Sequence, residues 1–178
     1  DGFWTIATGL STGALRTTNT RAIHATLGNF SYNGTGTQVV GDAVTNAYNF
    51  SVFNNTGTVT LSTNLSITAG GALYLNYFGL HGKLYLSNFN ATIASTASIQ
   101  GASSTDYVVT NGTGRLIQTV PNSNVDFPVG LSAYNPIRLR NSGTSDTYGV
   151  TVVDAVTTPT PNDGTKLINQ IGRASCRE

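Results

Sequence analysis

The stretch Asn64-Leu65-Ser66-Ile67-Thr68-Ala69-Gly70-Gly71-Ala72-Leu73-Tyr74-Leu75 carries two short β signatures in succession. It opens on Asn, apolar, Ser/Thr, apolar. The same pattern stands at Asn49-Phe50-Ser51-Val52 and at Asn90-Ala91-Thr92-Ile93. It closes on Gly-x-apolar-x-Leu, which stands again at Gly57-Thr58-Val59-Thr60-Leu61 and at Gly82-Lys83-Leu84-Tyr85-Leu86. Period-2 alternation sends successive side chains to opposite faces of a strand, so Leu73 and Leu75 turn inward together. Asn and Gly suit the corners between such strands because they tolerate positive φ at little cost. No segment carries a helical period.

Short strands recurring between Asn/Gly corners predict an all-β fold, a right-handed β-solenoid in which each coil buries its apolar face against the next. The spacings are uneven: 15 then 26 residues for the first pattern, 14 then 11 for the second. A single antiparallel β-sandwich is therefore the alternative. The 11-residue step suits a local hairpin inserted in the solenoid. Pairing Leu73–Leu75 with Lys83–Leu86 would set Tyr74 opposite Tyr85 on the outer face, with Tyr77 and Phe78 in the connection. These four aromatics, Tyr74, Tyr77, Phe78 and Tyr85, are the candidate ligand-binding residues, for stacking on glycans or on another surface protein.

Composition narrows the function. Thr (28), Gly (20), Asn (18) and Ser (15) dominate the 178 residues, and only 10% are charged, so few acids and bases are left for chemistry. The net charge of +1 and two lysines argue against nucleic-acid binding, which needs a clustered basic patch. No apolar run approaches the ~20 residues of a membrane helix. The closing run Ile171-Gly172-Arg173-Ala174-Ser175-Cys176-Arg177-Glu178 holds the only Cys and the only Glu, and it back-translates to a sequencing-adapter read-through. We expect 171–178 to be non-native and exclude it from fold reasoning. Without it, Lys+Arg falls from 9 to 7, Asp+Glu from 8 to 7, and the formal charge from +1 to 0. With no Met and no leader-like N-terminus, the chain reads as a fragment of a longer frame.

The text changes near Val120-Pro121-Asn122-Ser123-Asn124. Residues 1–120 read as the solenoid. Residues 121–170 read as the start of an immunoglobulin-like sandwich, since some fifty residues with three strands fall short of the ~100 of a complete one. Thr158-Pro159-Thr160-Pro161-Asn162-Asp163-Gly164 reads as a loop or linker.

The runs Asp106-Tyr107-Val108-Val109-Thr110-Asn111-Gly112-Thr113-Gly114-Arg115-Leu116, Phe127-Pro128-Val129-Gly130 and Tyr134-Asn135-Pro136 resemble a segment of large, adhesin-like, repeat-rich surface proteins of bacteria that use type IX secretion. The resemblance covers roughly residues 45–155. It implies export, display on the outer cell surface and a β-helical stretch ahead of a β-sandwich. It supplies no catalytic residues.

The candidate chemistry is thin. Gly9-Leu10-Ser11-Thr12-Gly13 matches the nucleophile-elbow spacing, but no helix follows, as that motif requires. His24 alternates with apolar residues and faces outward, and His81 lies in the loop Gly79–Gly82; both read as solvated. No His/Asp cluster has metal-ligand spacing. A glycosidase would need two carboxylates ~5–9.5 Å apart. Asp146 and Asp154, eight residues apart on one strand, would be about 26 Å apart. Lys83 and Lys166 lack the acidic neighbours a lyase would use. Seven Asn-x-Ser/Thr sequons, at Asn29, Asn33, Asn49, Asn54, Asn64, Asn90 and Asn111, follow from composition. The expectation is a non-enzymatic display module with no cofactor, no metal and no catalytic residue. The alternative is a carbohydrate-binding accessory module or the stalk of a secreted hydrolase.

Overall fold

The computed structural model describes residues 4–6, 28–153 and 173–174. Among them the chain is all β, with no helix. The first strands are β1 (Trp4–Ile6), β2 (Asn29–Tyr32) and β3 (Gln38–Val39). The next coil holds β4 (Asn46–Val52) and β5 (Val59–Thr60). The third holds β6 (Leu65–Tyr74), β7 (Asn76–Tyr77), β8 (Leu80–His81) and β9 (Leu84–Tyr85). The fourth holds β10 (Ala91–Ile93), β11 (Ser98–Gln100) and β12 (Val108–Val109). Then come β13 (Leu116–Val120), β14 (Val125–Phe127), β15 (Val129–Gly130), β16 (Ile137–Leu139), β17 (Asp146–Val150), β18 (Val152–Val153) and β19 (Arg173–Ala174).

Neighbouring strands run parallel and come from successive coils. On the longer sheet Phe30 pairs with Phe50, Phe50 with Leu73, Leu65 with Ala91, and Ala91 with Leu116. On the second sheet Gln38 pairs with Val59, Val59 with Leu84, Leu84 with Val108, and Val108 with Val129. Each step is 20 to 26 residues long. This is a β-solenoid of about four turns, not an antiparallel sandwich.

The uneven spacings of the sequence patterns have a geometric source. Gly57 and Gly82 lead into β5 and β9, whose Val59 and Leu84 are partners one 25-residue coil apart. Gly71 lies between them in sequence but on the other sheet, in the middle of β6. The steps of 14 and 11 residues are thus the two sides of one coil. Asn64 and Asn90 likewise precede the partners Leu65 and Ala91, whereas Asn49 lies beside Ala72 in the far half of β6.

The pattern glycines are required for a reason other than the one expected. Positive φ among the described glycines is confined to Gly41, Gly70, Gly79 and Gly101. Gly57 and Gly71 are needed for close approach. A Cβ on Gly57 would sit 2.2 Å from the carbonyl oxygen of Gly36, and one on Gly71 would sit 1.9 Å from that of Tyr48. Asparagine stitches the coils together along the stack. Asn49 Nδ2 donates to Asn29 Oδ1 at 2.7 Å, and Asn49 Oδ1 accepts from the Ala72 amide at 3.2 Å. The Asn90 amide donates to Asn64 Oδ1 at 2.9 Å, and the Arg115 amide donates to Asn90 Oδ1 at 3.0 Å. Six of the seven sequon asparagines take part in bonds of this kind, so stacking supplies a physical reason for asparagine at these sites.

Between the sheets runs one apolar core. Phe50, Leu65, Ile67, Leu73, Leu75, Leu84, Leu86 and Leu116 are fully buried in it, and each such side chain contributes roughly 1.5–3 kcal/mol of burial. The composition changes at residue 121, but parallel winding continues to β15, which pairs with β12. Antiparallel pairing then takes over, β14 with β16, β13 with β17, and β18 with β19. Phe127, Val129, Val150 and Val152 join the same core as the coils. The expected linker at 158–164 and the rest of the expected sandwich lie outside the described residues.

Candidate binding surface

A hairpin does interrupt the third coil, but it is not the one expected. Leu73–Leu75 and Lys83–Leu86 belong to different sheets. β6 is flanked by β4 on one side and by β10 and β11 on the other, and β9 is flanked by β5 and β12. Neither has a free edge for the other. Tyr74 therefore stands beside Ser51 and Gln100, and Tyr85 beside Thr60 and Val109, so Tyr74 and Tyr85 are not opposed. The hairpin that forms is β7 with β8, Asn76 facing His81 and Tyr77 facing Leu80. Its base is closed by the Gly82 amide donating to the Leu75 carbonyl at 2.9 Å.

The tip is Phe78-Gly79, with φ of +52° and +79°. A two-residue hairpin loop with both residues left-handed is the site where Asn-Gly is favoured, and a bulky residue there is an outlier. Phe78 is nevertheless 89% exposed, with Tyr77 and Leu80 about half exposed beside it. Tyr74, Tyr77 and Phe78 form a ladder of rings, 5.3 Å and 4.3 Å between centroids and inclined by 62° and 63°. Three of the four candidate aromatics are thus brought together at one protrusion, edge to face and not as a flat platform. Tyr85 lies apart, lining a cleft at the hairpin's foot.

That foot is anchored by Asp106, a residue the sequence reading passed over. Asp106 is 1% exposed. Its Oδ2 accepts from Thr105 Oγ1 at 2.8 Å, from Ser103 Oγ at 2.9 Å and from Asn76 Nδ2 at 3.4 Å, and its Oδ1 lies 3.0 Å from His81 Nδ1. Burial pushes this carboxyl up, but the bonds from Ser103, Thr105 and Asn76 and the neighbouring His81 outweigh it and hold the group below the usual carboxylate range. His81 is accordingly a strand residue paired to a buried carboxylate, in place of a solvated loop histidine. The legible signal was local: Ser103 and Thr105 set hydroxyls within reach just ahead of Asp106.

The residues of the adhesin-like segment pack against one another. Tyr107 is buried with the ring of Tyr134 at 5.5 Å. Val108 pairs with Val129, and Gly130 bridges to Tyr134. A Cβ on Gly130 would lie 2.7 Å from the Tyr107 ring, and one on Gly114 would lie 2.1 Å from the Phe89 carbonyl oxygen. Thr110 Oγ1 accepts from the Val152 amide at 2.9 Å. Those positions build the last parallel coil and its cover.

Ser11, His24, Asp154 and Lys166 lie outside the described residues. Asp126 is forked by Arg138 Nε and Nη2 at an exposed site. The bond from Arg138, ahead of a small opposing desolvation, lowers the pKa of Asp126. Asp146 is exposed on β17. Among the described residues no three His, Cys, Asp or Glu converge as a metal site, and no helix is long and apolar enough to cross a membrane. Comparison with known protein families, with curated proteins and with solved structures returns no match.

Proposed function

We propose that this chain is a non-catalytic display and extension module of an exported, adhesin-like cell-surface protein. The observation that carries the reading is the use made of its distinctive residues. The pattern glycines, the laddered asparagines and run residues such as Val108, Gly114 and Val129 pack one coil against the next. Such a stack is quasi-one-dimensional and lengthens by one strand spacing, ~4.8 Å, per coil. Antibodies raised against the chain should label intact, unpermeabilised cells that carry the gene. Labelling that appears only after permeabilisation would refute surface display.

A second reading is supported by the hairpin tip, where Phe78 is held exposed in an unfavourable backbone conformation. Backbone strain of this kind tends to cluster at binding and switch sites. Here the module also binds weakly to a glycan or to another surface protein through Tyr77 and Phe78. On a glycan array and in a pull-down from the same cell surface, Tyr77→Ala with Phe78→Ser should lose any signal the parent chain shows. Retained signal in the folded double variant removes the tip from the binding site.

A further inference from the structure

We propose that the polar cleft beside the hairpin is a binding site for an anionic sugar unit, one carrying a carboxylate or sulfate. The cleft holds about 370 Å³ and is lined by Asn54, Asn55, His81, Lys83, Tyr85 and Thr105, among others. It is separate from the aromatic tip and independent of any binding there. Its size falls at the lower end of small-ligand sites.

The floor is preorganised. Asn54, 2% exposed, donates from Nδ2 to the Gly36 carbonyl at 2.6 Å and to Gln38 Oε1 at 2.9 Å, and its Oδ1 accepts from the Gly57 amide at 2.8 Å. The backbone beneath leaves little room at Gly82, where a Cβ would fall 3.0 Å from Asn54 backbone atoms. One wall is fixed from behind. The His81 Nδ1 contact with Asp106 leaves Nε2 as the ring nitrogen available to a ligand. The charge in the cleft is cationic. Lys83 Nζ is held 4.6 Å from the centre of the Tyr107 ring, and neither ion pair resolved among the described residues involves it. No Asp or Glu is among the residues lining the cleft. Asp106, behind His81, has its oxygens taken by Asn76, Ser103, Thr105 and His81.

Together these groups match one ligand chemistry. Tyr85 offers a ring face to a pyranose. Asn55 offers an amide to sugar hydroxyls, and Thr105 Oγ1, whose proton is committed to Asp106, offers them an acceptor. Lys83, reinforced by His81 when protonated, offers a cation to the anionic substituent. A ring without that substituent would leave Lys83 with its Tyr107 contact alone.

Calorimetry with the whole chain at low salt tests this. The probes are tetragalacturonate, its methyl ester, and a sulfated oligosaccharide of equal length. We expect at least one anionic probe to bind about tenfold or more tightly than the methyl ester, and the tighter of the two identifies the anionic group held. Lys83→Met should abolish that preference. Asn55→Ala, an exposed change that spares the coil, should weaken binding several-fold. Equal binding of the ester and the acids, no binding of either acid, or a preference that survives Lys83→Met would each overturn the proposal. Thermal melts of every variant exclude unfolding as the cause, and Asn55→Ala keeps the test intact if Lys83→Met melts early.

Discussion

Asp106 gives the sharpest test of how the hairpin is held to the stack. Replacing it with Ala removes three charge-assisted contacts of 2.8–3.0 Å and a longer one of 3.4 Å. Bonds to a charged group contribute roughly 1.5–3 kcal/mol each, but they are not additive. Once the carboxylate is gone, His81, at 38% side-chain exposure, and the neighbouring hydroxyls turn to water. A net loss of about 2–4 kcal/mol at pH 7 follows. For a chain of this size that lowers Tm by roughly 4–16 °C. Asp106→Asn keeps the volume but offers a donor amide where donors already converge, so it should lose roughly 1–3 kcal/mol.

The pH dependence carries a definite sign. The folded pKa of Asp106 is depressed, so its contribution is fully present above the unfolded value of about 3.9 and is lost as pH falls from there through the folded value. The Tm gap between the parent chain and Asp106→Asn should therefore be open at pH 7 and close below about 4. Asp126 is depressed as well, but it titrates in both proteins and cancels in the difference. Melting curves by circular dichroism at half-unit steps of pH measure the gap. An Asp106→Asn chain as stable as the parent at pH 7, or a gap that persists unchanged to pH 2.5, would refute the account of the anchor.

Three further outcomes follow from the same geometry. Gly114→Ala places a methyl 2.1 Å from the Phe89 carbonyl oxygen, which backbone cannot readily yield, so it should cost roughly 1–3 kcal/mol or more; Gly143→Ala, whose nearest neighbour is a side-chain oxygen at 3.6 Å, should change urea midpoints little. Asn90→Ala takes the acceptor from the Arg115 amide and should destabilise by about 1–2 kcal/mol; an unchanged midpoint would show that water replaces the ladder bond. Phe78→Asn supplies the residue that the left-handed tip favours and should raise stability by about 1 kcal/mol or less, read as a higher Tm; a lower Tm would mean that the ring ladder with Tyr77 outweighs the backbone strain.

What was legible in the sequence was the local part of the fold. Alternation at Leu65-Ser66-Ile67 and Ala72-Leu73-Tyr74-Leu75 named strands and their inward faces, because a period of 2 is a property of the extended backbone itself. The asparagines and glycines marked where coils meet, though for glycine the operative reason was neighbouring backbone within 2–3 Å, which is a fact about the next coil and not about the residue's own φ. Sequence could not assign partners. Parallel pairs such as Val59 with Leu84 are a coil apart, and the interleaving of two sheets made one regular winding look like two irregular repeats. For the same reason the expected Tyr74–Tyr85 pair did not form: both strands already had neighbours on each side. The aromatic composition of the tip could be read directly, but the left-handed backbone beneath Phe78 could not. In the sequence Asp106 stood out only as the first residue of the Asp106–Leu116 run. Only tertiary structure, by bringing Asn76 and His81 from 30 and 25 residues away, made it a buried anchor, because a carboxylate leaves water only when several donors converge on it at once.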